Sequence, residues 1–137
     1  MPKYHQGYYK LINESKYRGN SKKVIYRSSW EKIAFKWLDK SPDVLEWSSE
    51  EIVIPYVSPK DDKIHRYYPD LWMKTPNGYF VVEIKPEKET RCPLGGKNIG
   101  NRMILYAINK AKWEAASEYC NKKGWRFKII TERTLLR

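Results

Sequence analysis

Between Phe80 and Lys85 the chain alternates, with Phe80, Val82 and Ile84 on one side and Glu83 and Lys85 on the other, the period of a strand with one buried face. Ahead of it, residues from Tyr67 onward form a second β-prone run. Pro76-Asn77-Gly78 between the two is a turn signal, so the stretch predicts a β-hairpin. Helical spacing appears in two places. Trp30, Ile33, Ala34, Trp37 and Leu38 predict an amphipathic helix over about Ser29 to Lys40, opened by a capping box from Ser28 to Glu31 and ended by Pro42. A longer helix is predicted from about Arg102 to Lys123, with its stripe at Ile104, Ile108, Ala111, Ala115 and Tyr119 and Gly124 as its cap. Val44–Trp47 and Ile52–Val57 predict the strand that leads the sheet. Arg126–Thr131 predicts the last strand, and its return over a helix favours parallel pairing. The expected order is helix, three strands, helix, strand: an α/β domain with a mixed β-sheet flanked by helices.

The segments without periodicity carry charge. Residues 1–40 hold ten Lys and Arg against three acids and residues 91–137 eleven against three, whereas residues 41–90 hold six against ten. An acidic centre between basic flanks suits a protein that grips a polyanion and concentrates cations in its middle; a generally basic, solvated surface is the plainer alternative. Residues 1–27 interleave tyrosines with Lys22, Lys23, Arg27 and other cations, which reads either as a basic, Tyr-rich DNA-binding arm ahead of a single domain at 28–137, or as a segment wrapped onto that domain. The Gly- and Pro-rich loop over 86–100 leaves the hairpin directly, so Lys88, Arg91 and Lys97 are placed to reach DNA phosphates, as are Lys110 and Lys112 on the long helix. The 137 residues fit one domain, and no run of eighteen apolar residues predicts a membrane span. The first residues lack the apolar core of a signal peptide, and Cys92 and Cys120 are too few for a disulfide framework, which suggests a reducing, cytosolic setting.

Candidate chemistry sits on the hairpin. A carboxylate and an ammonium two residues apart in an apolar strand are costly to bury without a purpose. With Asn77-Gly78 as a two-residue loop, Asp70 lies opposite Lys85; with a four-residue loop centred one step earlier, Asp70 lies opposite Glu83. Either register gathers the three groups, and an odd loop without a bulge scatters them. Two carboxylates beside a lysine form an oxygen-ligand site suited to Mg2+, with Mn2+ able to substitute. The lysine is then placed to orient or deprotonate the attacking water. A solvated surface ladder is the bland alternative for the same residues.

Pro69-Asp70, then Glu83-Ile84-Lys85, resembles the signature of the PD-(D/E)XK nucleases. That resemblance implies a restriction-endonuclease-like core and metal-dependent DNA hydrolysis, with Asp70, Glu83 and Lys85 catalytic and Asp70 and Glu83 on the metal. It also implies an acid from the first helix, which assigns Glu31 as a further catalytic and metal-binding residue, although capping explains Glu31 as well. Further stretches, among them Tyr26 to Glu31, Val44 to Trp47, His65 to Tyr68, Lys112 to Ala116 and Ile129 to Glu132, resemble the head completion nucleases of T-even-type phages. This implies processing of packaged DNA before head-tail joining, phage head or neck proteins as partners, and the host cytoplasm during assembly, or the virion, as location. The C-terminal stretch is also similar to the endonuclease subunit of heteromeric transposases, which often carry Gln where this chain has Glu83. A non-catalytic DNA-binding virion protein and a recombination-type endonuclease remain the alternatives.

Overall fold

The computed structural model describes residues 6–136. Its elements are β1 (Gly7–Tyr8), β2 (Ile25–Tyr26), α1 (Ser29–Lys40), β3 (Glu46–Ser49), β4 (Ile54–Val57), β5 (Ile64–Tyr67), β6 (Leu71–Thr75), β7 (Gly78–Ile84), α2 (Ile99–Lys123), β8 (Arg126–Ile130) and α3 (Glu132–Leu135). The main sheet runs β3-β6-β7-β8. Its first two pairings are antiparallel, and β7–β8 is parallel, as a helix-linked return requires. Thr75 pairs with Gly78, leaving Pro76 and Asn77 as the loop. The Thr75 hydroxyl closes it, accepting from the Asn77 amide at 3.1 Å and donating to the Gly78 carbonyl at 3.2 Å. Extended by one step, that register sets Asp70 against Glu83.

Alternation along β7 divides the sheet. Leu71, Phe80, Val82 and Ile84 join the core with Ala34, Phe35 and Leu38 of α1, while Phe127 and Ile129 face Trp113 and Ala116 of α2 on the other side. Trp47 anchors the first core, fully buried, with Tyr17 edge-on at 4.8 Å and Phe35 at 5.3 Å between ring centroids.

Four expectations need correction. The buried stripe of α1 is Ala34, Phe35, Leu38 and Asp39; Ile33 and Trp37 are exposed, Trp37 by 56%. Apolar residues occupy two adjacent stripes, and the aromatic pocket of Tyr9 and Trp47 selects the one with Phe35. In α2 the buried residues are Trp113, Ala116 and Cys120 rather than the Ile104–Tyr119 stripe. At 1.5 Å per residue this helix is about 37 Å long, against roughly 23 Å for β7. Its first half therefore overhangs the sheet and leaves Met103, Ile104 and Leu105 exposed. The Ile52–Val57 run does not enter the main sheet; β4 pairs with β5 in a separate hairpin that packs on α2. Lastly, residues 6–27 are no detached arm. Tyr9, Tyr17 and Val24 are core residues, and the segment is stapled to α1 by the buried Asp39. The Asp39 carboxylate accepts from the Tyr9 hydroxyl at 2.9 Å and from the Ile12 and Asn13 amides at 2.7 and 2.9 Å. Lys16 donates to the carbonyls of Leu38, Asp39 and Ser41 at the end of the same helix. The first five residues of the expected arm lie outside the described residues.

Candidate active site

The hairpin register brings two carboxylates together at the end of β7. Asp70 stands one residue before β6, where its side chain continues the ladder: Oδ2 accepts the Ile84 amide at 2.7 Å. Its own amide points at Glu83 Oε1, 3.4 Å away, and its carbonyl accepts from the Glu50 amide at 3.2 Å. Glu83 is buried, at 7% exposure. Lys85 follows the strand, its amide bonded to the Ile130 carbonyl at 3.0 Å, so parallel pairing with β8 seats it.

Electrostatics record how close these groups are. Burial raises the Asp70 pKa well above the usual carboxylate range, and the Glu83 charge raises it further; the Ile84 amide and Lys85 pull it back. Burial raises Glu83 as well, against the Lys85 charge. Two desolvated, mutually repelling carboxylates, whose charge Lys85 offsets only in part, form a hard oxygen donor set, and this fits Mg2+ or Mn2+, with water completing the shell.

Glu31 comes to the rim. Ser28 Oγ accepts its amide at 3.2 Å, and its own Oε1 accepts the Arg27 amide at 3.2 Å, a capping arrangement displaced by one residue from the usual box. Burial and then the Asp70 charge push its pKa up to about 7. Among the described residues, however, no three acidic, His or Cys side chains gather closely enough to hold a metal ion. The Arg27 amide holds the Glu31 carboxylate in the cap, within the field of Asp70.

A stability experiment separates the two roles of Glu31. A carboxylate with a raised folded-state pKa stabilises the fold fully below its unfolded pKa, and that contribution is lost as pH rises through the folded value. The window is therefore pH 4.5 to about 7. Discounted for its partial exposure, the loss amounts to about 1–2 kcal/mol. Glu31→Gln should be more stable than wild type at pH 8 without metal, by chemical denaturation, and should match it at pH 4. A variant less stable at both pH values would show that capping dominates.

Two neighbours of the site were not legible beforehand. Glu50, just past β3, adopts the left-handed backbone at φ 55°, a strained conformation for a residue with a side chain. It pairs with Arg27 and raises both Asp70 and Glu31 electrostatically. The only sequence signal was the acidic pair Glu50-Glu51 after Ser48-Ser49. Tyr67 is buried at the end of β5; burial drives its pKa up, and the neighbouring Glu83 and then Asp70 raise it further.

The expected DNA contacts divide. Lys22 and Lys23 are exposed on the turn before β2, and Lys110 is exposed on α2. Arg27 is engaged with Glu50. Lys88 and Arg91 line a cavity of about 380 Å3 with Arg102, Leu105 and Tyr106. Lys97 is exposed beside it, its carbonyl accepting from Arg102 Nε at 3.0 Å. Lys112 instead lies over the Tyr56 and Tyr67 rings, in the field of Glu83 and Asp70. His65 pairs with Asp61, away from the pair.

Residues 41–132 match the model of a protein family described as TnsA-like endonuclease N terminal. The chain is also similar to the head completion nuclease of enterobacteria phage T4, 44% identical over 129 residues that cover 88% of this chain and 86% of that protein.

Proposed function

The chain belongs to the TnsA-like endonuclease N-terminal family, a restriction-endonuclease-like group, and we propose that it is a metal-dependent DNA nuclease of the phage head completion kind. The observation that carries the reading is the Thr75–Gly78 register, which sets desolvated Asp70 against Glu83 and leaves Lys85 at the same strand end. A surface ladder would have no reason to desolvate two like charges, and a non-catalytic DNA-binding protein would not need them at all.

In this proposal Asp70 and Glu83 would hold Mg2+, for which Mn2+ would substitute, and Glu31 would add a third carboxylate from the start of α1. The bound ion supplies charge neutralisation at the phosphate and acidifies water. Lys85 orients the attacking water, and the water oxygen bonds phosphorus as the P–O bond to the leaving oxygen breaks. One water proton ends on that leaving oxygen. Lys22, Lys23, Lys88, Arg91, Lys97 and Lys110 bind phosphates along the strand. The relative's name suggests packaged DNA as substrate, with head or neck proteins as partners, in the host cytoplasm or the virion.

Cleavage of linear and circular plasmid in Mg2+, with and without EDTA, tests this directly. Activity is expected only with metal, and cutting of the circle would show an endonucleolytic component. Full activity in EDTA would overturn the metal assignment. Binding to DNA should be insensitive to sequence, with a slope of log K against log[salt] of about −4 to −6 for five or six neutralised phosphates. A slope near zero would mean that the basic flanks do not contact DNA.

A further inference from the structure

Among the lysines of α2, Lys110, Lys122 and Lys123 are exposed, and Lys112 alone is partly withdrawn from solvent. Its ammonium lies 5.6 Å from the centroid of the Tyr67 ring and 5.9 Å from that of Tyr56. Among the described residues it forms no ion pair and no hydrogen bond. Desolvation lowers its pKa, the Glu83 and Asp70 charges raise it again, and Lys85 opposes them. A lysine stem packed on aromatic rings ordinarily carries its head out to water. Here the head sits over two rings instead, one of them the buried Tyr67 that lies in the field of Glu83 and Asp70, and the electron-rich ring faces supply only part of what water would. Such a cation is arranged for an anion that arrives at the same point.

We propose that Lys112 is a catalytic residue whose ammonium contacts a non-bridging oxygen of the scissile phosphate. The assignment rests on the nuclease reading above and adds a second cation to it, delivered by the crossover helix rather than by the hairpin. Lys112 keeps its proton throughout. As the water oxygen bonds phosphorus and the P–O bond to the leaving oxygen lengthens, negative charge grows on the non-bridging oxygens, and an ammonium held in place and partly desolvated stabilises it with little reorganisation. Tyr56 and Tyr67 act as positioning residues, because their rings hold the lysine stem over the pair. A lysine that merely grips the DNA backbone would contribute to affinity and leave the chemical step alone.

The test compares full-length wild type, Lys112→Met and Asp70→Asn. Single-turnover cleavage of supercoiled plasmid is measured in Mg2+, affinity for a labelled duplex is measured in EDTA, and a thermal melt accompanies both. Lys112→Met keeps the stem and removes the charge. We expect cleavage to slow by about 100- to 1,000-fold, affinity to stay within about threefold, and the melting temperature to hold or rise, since a desolvated charge is gone. Cleavage within threefold of wild type, or an affinity that falls in step with the rate, overturns the assignment. Lys112→Gln, which keeps a polar tip, is read against the same limits should the Met variant not fold. A wild-type protein that fails to cut DNA in either Mg2+ or Mn2+ overturns the nuclease reading itself. An active wild type beside an equally active Lys112→Met overturns only the role of Lys112.

Discussion

Replacing Asp70 with Asn should reduce DNA cleavage by at least about three orders of magnitude while leaving the fold intact. The amide oxygen still accepts the Ile84 N–H, so the hairpin keeps its closing bond. What disappears is one anionic oxygen donor and its repulsion with Glu83. Without metal that repulsion works against folding: a raised carboxylate pKa stabilises only below the unfolded value near 3.8, and the contribution is lost as pH climbs through the folded value. At pH 8 the metal-free variant should therefore melt no lower than wild type. Mg2+ should raise the wild-type melting temperature and not that of the variant. Glu83→Gln and Lys85→Met should fall to the same floor, and a double variant should go no lower, because groups acting as one unit do not contribute additively. Any one of these variants that keeps a tenth of the wild-type single-turnover rate would remove that residue from the chemistry.

The largest stability loss is expected far from the site, at Asp39. Its carboxylate is fully buried and collects a hydroxyl and two backbone amides, so Asp39→Ala strands three donors at once. Leaving buried polar partners unpaired in this way costs about 3–5 kcal/mol, or roughly 10–20 °C in melting temperature for a domain of this size. Asp39→Asn should cost less, since one oxygen still accepts, although its NH2 group faces donors. Because the bonds lead into residues 9–13, protease should nick the Ala variant in that segment well before the sheet opens. Equal melting temperatures for wild type and Asp39→Ala would show that the staple is dispensable.

What could be foreseen from the chain, and what could not, follows a physical line. The hairpin was legible because period-two alternation and a Pro-Asn-Gly turn are local, and parity carries Asp70, Glu83 and Lys85 with it. The start of α1 was legible for the same reason, Ser28 and Glu31 being three residues apart. Which stripe of α1 or α2 is buried was not, because both helices are apolar on more than one side and a distant partner decides: Trp47 and Tyr9 for Phe35, the finite length of the sheet for Met103 to Leu105. The wrapping of residues 6–27 hinged on Asp39, which reads as an ordinary polar position at the end of a helix until its partners some thirty residues upstream are known. Glu50 entered the site through a backbone conformation, and Lys112 through a helix crossing; neither leaves a mark in spacing.

The parallel pairing of β7 with β8 also bears on when the protein becomes competent. Strands β6 and β7 close through two residues, whereas β7 and β8 are joined only through α2, so their pairing closes a much longer stretch of chain. Closing that long excursion carries an entropic cost that nearest-neighbour contacts do not, which places it late in folding. In the interval a chain would hold Asp70 against Glu83 with neither the Ile130 carbonyl that seats Lys85 nor the helix that carries Lys112. Two carboxylates held together without their cations destabilise the hairpin that holds them, so the half-formed sheet tends to come apart rather than persist. A partly folded molecule therefore has the acids without the machinery, and the ability to cut a nucleic acid arrives together with the finished fold.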